Sequence, residues 1–273
     1  MAIGNRKLAM KITSRDNSLL RHARAVRDGK IAESIFVEGL RLCEEALLSG
    51  LRIEVVIYSD QIVRKERAFQ LIENLEKAST KTAAVSEKLL ESISYTKTPQ
   101  GIVLLAARPP SDEATFIKMQ PANPLLLILH GINNPVNVGA ICRTAEAAGA
   151  SGLIATRGTS DPFSPKALRG AMGSAFRLPI WRDADYTRTI SYCRERKIRT
   201  ISADVSASKM FSEINWREPS AMVVGPESTG LSPDEVEATE DSVRIPMHGT
   251  VESLNVAVAA GIILYEAARQ RGF

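Results

Sequence analysis

The stretch LLLILHGINNPVNVGAICRTAEAAGASGLIAT, residues 125–156, decides the fold. It opens on five apolar residues with no polar position to mark a solvent face, the pattern of a parallel strand covered on both sides. It closes on LIAT, 153–156, a second such run. Between them lie an asparagine-rich loop and a helix of small residues, predicted over 139–149 and stopped by Gly149. Strand, helix and strand make a βαβ unit and hence a parallel sheet. This spacing puts Arg143 in the first turn of the helix, just after Asn137 and Gly139.

The alternation continues downstream. RLPIW (177–181), RTISA (199–203), AMVVG (221–225) and VRIPM (243–247) read as strands, with helices near 165–175, 187–197 and 233–239. The final helix, from 254 to about 270, is apolar on nearly every face. Too short for a membrane span, it needs cover from protein, and a second subunit is one source. Upstream, residues 35–107 alternate short apolar runs and helical patterns and form a small α/β unit. The four prolines in 108–124 mark a break. The organisation read from this is a domain at 1–108, a linker at 109–123 and a second domain at 124–273.

With 273 residues, 44% hydrophobic and 24% charged, the chain has the composition of an ordinary globular protein of one large or two smaller domains. Its first residues hold no apolar leader, and a cytoplasmic location is expected. Cys43, Cys142 and Cys193 lie far apart, as do His22, His130 and His248, so neither a disulfide framework nor a metal site is indicated. Buried apolar roles suit the cysteines. Net charge is only +4, yet residues 1–30 carry eight Lys/Arg (Arg6, Lys7, Lys11, Arg15, Arg21, Arg24, Arg27, Lys30) against Asp16 and Asp28. Residues 157–199 hold ten more against four acids. Two such stretches on a nearly neutral chain suggest a polyanion partner.

Three loops of one kind carry the chemistry. GINNPVNVGAICR follows a buried strand and feeds a helix N-terminus, where free N–H groups attract anions. It lacks both a P-loop and a G-x-G-x-x-G fingerprint. Arg143 points away from the core face of its helix, either towards a ligand or into an exposed i,i+3 pair with Glu146. VVGPESTGLS, 223–232, puts Gly225 and Glu227 where open α/β sheets bind ligands, or is a tight turn capped by Ser232. IPMHGTVESLNVAVAAG, 245–261, carries Ser253, which could be an N-cap, and Asn255, an amide within an apolar run that needs a hydrogen-bond partner. In a parallel sheet all three loops converge at one end.

Taken together, N-x-G-A-I-C-R-T-A-E-A-A-G, V-G-P-E-S-T-G-L-S and I-P-M-H-G-T-V-E-S-L-N-V-A-V-A-A resemble, in order and spacing, the three motifs of the SpoU (TrmH-type) RNA ribose 2′-O-methyltransferases of the SPOUT superfamily. The match covers roughly 124–270. ITSRDNSLLRHARAV and FVEGLRLCEEALLSG look like the small substrate-binding domain that often precedes this catalytic domain.

The resemblance implies an α/β protein: a C-terminal parallel-sheet SPOUT domain with a deep trefoil knot, preceded by a small α/β RNA-binding domain. It implies S-adenosylmethionine as cofactor, held largely by backbone around Gly225, Glu227, Ile245, Met247 and Leu254. It carries over Arg143 as the catalytic arginine, with Asn137, Glu227, Ser253 and Asn255 as the other active-site positions. The arginine has been taken as the base for the 2′-hydroxyl proton in this family. As a permanent cation it could instead bind phosphate and stabilise the forming alkoxide. The expected activity is 2′-O-methylation of RNA by a homodimer with no metal. Ribosomal RNA is the expected substrate and tRNA the alternative. A non-catalytic RNA-binding protein would not need the full set of five site residues, and a small-molecule enzyme would leave the basic N-terminus unexplained.

Overall fold

The computed structural model describes residues 9–272. In chain order the first elements are β1 (Met10–Ile12), α1 (Ser18–Arg27), β2 (Ser34–Glu38), α2 (Leu40–Leu48), β3 (Ile53–Ser59), α3 (Glu66–Ala78), β4 (Lys81–Val85), α4 (Glu87–Ile93) and β5 (Ile102–Ala107). Then come α5 (Glu113–Lys118), β6 (Leu125–Leu129), α6 (Pro135–Ala147), β7 (Gly152–Thr156), α7 (Pro165–Ala171), α8 (Ser174–Arg177), β8 (Ile180–Ala184) and α9 (Tyr186–Glu195). The chain finishes with β9 (Arg199–Ala203), β10 (Lys209–Met210), β11 (Ser220–Val224), α10 (Pro233–Glu237), β12 (Asp241–Arg244) and α11 (Val256–Gln270). Two compact units result, Met1–Pro109 with Phe163–Phe176, and Pro110–Pro162 with Arg177–Phe273.

In the first unit the sheet order is β1-β4-β3-β5-β2. β1, β4 and β3 run parallel, while β5 is antiparallel to both β3 and β2. Helix α1 contributes Leu20, Ala23 and Val26, three apart, to a core with Phe36, Ile57, Leu90 and Val103. The segment 163–176 groups with this unit, which the sequence pattern did not indicate. Phe163 is 2% exposed, with the Arg108 guanidinium 5.5 Å from its ring centre. Gly173 (φ +97°) lies so close to Glu45 that a Cβ would sit 2.8 Å from that side chain.

The second unit is a seven-stranded sheet in the order β10-β12-β9-β11-β6-β7-β8, every pair parallel. LLLIL is central β6, and all five of its residues are buried, as the unbroken apolar run predicted. Residues 110–123, expected to act as linker, belong to this unit. Asp112 caps α5, and Phe116, 1% exposed, packs with Trp181 and Tyr192 at ring-centre distances of 6.1 and 6.3 Å. Gly152 makes room for it, since a Cβ there would lie 2.6 Å from the Phe116 ring.

The far end of the chain is fastened back. Gln270 accepts from the Trp216 N–H at 2.9 Å, and Arg271 donates to the carbonyls of Trp216, Glu218, Asn123 and Pro124. Burial holds the pKa of Arg271 below the usual arginine range. All three cysteines are buried, as expected of small apolar residues, and burial pushes the Cys142 and Cys193 thiols up to about 12. Among the described residues no helix is long and apolar enough to cross a membrane.

If residues 110–123 are part of the second core, Phe116→Ala should destabilise the protein by about 3–5 kcal/mol, the usual cost of emptying a buried aromatic site. Denaturant unfolding checks this; a change below about 1 kcal/mol would mean that the segment is dispensable to that core.

Candidate functional site

Because every strand of the second unit is parallel, the loops after β6, β11 and β12 emerge at one edge, where open α/β sheets take their ligands. A cavity of about 430 Å³ opens there, beyond the carboxyl ends of β9, β11 and β12, a volume within the usual range for small ligands. Gly225, Glu227, Ile245, Met247 and Leu254, the five expected cofactor positions, all line it, and so does Ser253. VRIPM is not strand throughout. β12 ends at Arg244, which leaves Ile245 and Met247 in the loop that walls the cavity.

At Gly225 the loop's own backbone leaves no room for a side chain. A Cβ there would lie 2.7 Å from the Leu231 N and 2.8 Å from the Gly230 carbonyl carbon, so the loop's own backbone occupies the space. The loop is closed by a capping box on α10: Glu235 accepts from the Ser232 N–H at 2.7 Å, and the Ser232 Oγ accepts from the Glu235 N–H at 3.3 Å. Ser232 is thus an N-cap, and the loop is both a capped turn and a cavity wall.

The three loops are joined through side chains. Asn137, 7% exposed, donates its Nδ2 to the Glu227 Oε1 at 2.6 Å. Its Oδ1 accepts from the Asn255 Nδ2 at 3.4 Å, while the Asn255 Oδ1 accepts from the Ala257 N–H at 2.9 Å. The polarity is determined throughout. A backbone N–H can only donate, which fixes Asn255, and a carboxylate only accepts, which fixes Asn137 from the other side. Asn255 therefore caps α11, which starts at Val256, in place of Ser253. It is exposed at the helix edge, not buried inside an apolar run, and the buried amide is Asn137.

Arg143 stands apart from this group. Helix α6 begins at Pro135, capped by Asn134, rather than at 139, so Arg143 lies in the third turn and not the first. It is exposed, does not line the cavity and makes no ion pair or hydrogen bond among the described residues. The alternative pairing with Glu146 is not formed, because Glu146 is held by the Arg177 guanidinium at 2.6 and 3.0 Å. Arg143 shares the outer stripe of α6 with Val136, beside α11, on which Val258 and Tyr265 are also exposed.

A further cluster was not read from the sequence. His130, directly after β6, contacts the Thr156 Oγ1 through Nδ1 and the Glu235 Oε1 through Nε2, both at 2.9 Å. Its ring lies 4.4 Å from that of Tyr186, whose hydroxyl donates to the Glu235 carbonyl. Burial raises the pKa of Glu235, but the Ser232 N–H and hydroxyl and His130 outweigh it and leave the carboxyl below its ordinary value. The cluster anchors the closing turn to the sheet. The only signal for it was a histidine ending an apolar strand. Among the described residues no group of three or more His, Cys, Asp or Glu could hold a metal ion.

Half of the ten basic residues at 157–199 are paired internally. Arg157, Arg177, Arg182, Arg188 and Arg199 are paired with Asp185, Glu146, Asp183, Glu113 and Asp241. In the N-terminal stretch Arg6 and Lys7 lie outside the described residues. Arg24 donates to the Arg15 carbonyl and Arg27 to those of Ile93 and Ser94, leaving Lys11, Arg15, Arg21 and Lys30 exposed.

Residues 124–265 match the SpoU rRNA methylase family, and residues 21–104 match the MRM3-like substrate-binding domain. The chain is 34% identical over 219 residues to a 23S rRNA (guanosine-2′-O-)-methyltransferase, RlmB, of Bordetella pertussis, covering 79% of this chain and 89% of that protein. It is 31% identical to the 23S rRNA (guanosine(2553)-2′-O)-methyltransferase RlmP of Bacillus subtilis, covering 85% and 87%. Among solved structures, an AdoMet-bound rRNA methyltransferase from Sinorhizobium meliloti superposes with TM-score 0.83 at 30% identity, covering 96% of this chain and 98% of that one.

Asn137→Asp keeps the shape of the side chain but sets a second carboxylate against Glu227. It should lower kcat/KM at least tenfold, about 1.4 kcal/mol, with the far-UV spectrum retained. A fall below twofold would show that the junction of the loops does not matter for turnover.

Proposed function

Because the chain belongs to the SpoU rRNA methylase family, we propose that it transfers a methyl group from S-adenosylmethionine to a guanosine ribose 2′-hydroxyl in 23S ribosomal RNA. The observation that carries this reading is the cavity at the carboxyl edge, lined by all five cofactor candidates and tied to Asn137 and Asn255 through Glu227. The donor set suits the cofactor: apolar Ile245, Met247 and Leu254 offer a slot for a flat base, and the 225–231 backbone offers polar groups beside it.

When bound, S-adenosylmethionine supplies a methyl group already activated by its sulfonium. The residues of the chain then have to orient the ribose, exclude water and manage one proton, and positioning provides most of the rate. Glu227, turned by Asn137, is set to accept a hydroxyl hydrogen bond at the cavity wall, with Ser253 beside it. We assign Arg143 an electrostatic role. Without an ion pair among the described residues, its guanidinium can take up the phosphate next to the target ribose and stabilise charge building on the 2′-oxygen, whereas it is a poor base.

The same reading includes a homodimer formed over the α6 and α11 stripe, because Val136, Val258 and Tyr265, 44–52% exposed, give that face an apolar character around Arg143. It also includes the deep trefoil knot, in which the C-terminal segment is threaded through a loop, and work in the cytoplasm, where ribosomes are assembled.

Incubation with labelled S-adenosylmethionine should put label into ribose of 23S rRNA in preference to tRNA. Arg143→Ala should cut kcat ~100-fold, about 2.7 kcal/mol, while calorimetry finds cofactor affinity within twofold of the parent. Retained turnover within about tenfold would remove Arg143 from the mechanism. Sedimentation should give a dimer at micromolar concentration and a monomer for Val258→Asp; a monomeric parent protein would overturn the interface.

A further inference from the structure

The loop SYTKTPQG, residues 94–101, between α4 and β5, is held by two side chains from elsewhere in the first unit and by one of its own, Gln100. Glu38, 7% exposed, accepts from the Tyr95 N–H at 2.8 Å, the Thr96 N–H at 3.2 Å and the Thr96 hydroxyl at 2.6 Å. Arg27 donates to the Ile93 and Ser94 carbonyls at 3.2 and 3.3 Å. The Gln100 Oε1 accepts from the Leu40 N–H at 3.1 Å and fills the space over Gly39, where a Cβ would lie 2.9 Å away. The loop backbone is thus tied to α1, to the end of β2 and to the first turn of α2.

Its outward side chains, by contrast, are not used internally. Tyr95 is 44% exposed, an unusual state for a large ring on so tightly held a loop, and Lys97 and Thr98 are exposed beside it. Lys97 and Thr98, next to Tyr95 in the loop, line a groove made of two cavities, of about 880 and about 200 Å³, that share Arg41, Thr98 and Gln100 as walls. Arg41, Lys65, Lys97 and Arg169 line it and carry no ion pair among the described residues, whereas Arg67 on the same wall is neutralised by Glu44 at 2.6 Å. Glu87 and Glu91 on α4 line the larger cavity too, so the cationic side is the one formed by α2, Lys65, Lys97 and Arg169. A firmly held loop that offers a ring and a cation to solvent, at the edge of a groove whose cations are unpaired among the described residues, is suited to a strand of nucleic acid whose bases are unpaired. Phosphates meet the cations and a splayed base meets the ring.

We propose that this groove grips an unpaired segment of the RNA substrate, with Arg41, Lys65, Lys97 and Arg169 on phosphates and Tyr95 stacked on one base. The proposal rests on the reading of the chain as an RNA methyltransferase. It moves the RNA contact away from the N-terminal basic run, where Arg27 serves to hold the loop rather than to bind a phosphate.

Full-length protein and a 23S rRNA transcript test it, with affinity measured by filter binding over a range of salt. Removing two phosphate contacts with R41A/K97A should lower the slope of log K against log salt by about 1.4–1.8. It should raise the KM for RNA at least tenfold, while kcat at saturating RNA and the affinity for S-adenosylmethionine stay within twofold of the parent. Tyr95→Ala should weaken RNA binding at least fivefold without altering the salt slope, since it removes no charge, and Tyr95→Phe should restore the affinity. Lys77→Ala, a cation outside the groove, should leave KM unchanged. The groove is excluded if R41A/K97A and Tyr95→Ala both bind RNA like the parent, or if Lys77→Ala does as much harm. A parent protein that binds 23S rRNA but methylates none would instead count against the methyltransferase reading and leave the binding result standing.

Discussion

The second unit depends on a two-step hydrogen-bond relay, from Asn255 to Asn137 and from Asn137 to Glu227. Each member comes from a different strand-to-helix junction, and the parallel sheet alone would leave those junctions free to move independently. A buried amide with both ends engaged is costly to disturb, because either partner's loss leaves a polar atom without water or protein to satisfy it. The relay therefore holds Glu227 at the cavity wall, while the His130 and Glu235 contact holds the far end of the same turn. Between the two, the 225–235 turn has little freedom, and Gly225 is the position where its backbone folds back most tightly.

Much of this was legible because motif residues act through type and spacing. LLLIL had to be a central strand, and Asn137, Glu227 and Asn255 had to lie at one edge of a parallel sheet, whatever the packing. Legibility failed where local pattern and tertiary contact differ. The start of α6 was hidden because Asn134 and Pro135 look like loop residues, although they form a capped first turn. The end of β12 was hidden because Ile245 and Met247 are apolar for the sake of a cavity, not a strand. Phe116 sat in a proline-flanked segment with no period, and its burial depends on Gly152, far along the chain.

Charge was the least transferable signal. The count over 157–199 was correct, yet five of its arginines are spent on carboxylates that a linear reading cannot assign, and two of the remaining cations, Lys166 and Arg169, fall in the segment that groups with the first unit. The exposed pairs among these, such as Arg157 with Asp185, add little stability. They do cancel field, so the potential that a polyanion would meet is set by the residues left unpaired rather than by local excess. The groove beside the 94–101 loop is a case in point: the four cations that carry no ion pair among the described residues are scattered from Arg41 to Arg169, and no window of sequence brings them together.

Arg271 ties the exit of α11 to the carbonyls of Asn123 and Pro124, just ahead of β6, so the polypeptide leaves the second unit where β6 enters it. That place is at the amino ends of the strands, and the cavity lies at the carboxyl ends, separated by the length of a five-residue strand, about 16 Å. A tether, dye or fused partner attached after the last helix would thus emerge behind the sheet, away from the cavity mouth. The geometry makes the end of α11 the place in the second unit to attach an immobilising group at the edge opposite the cavity.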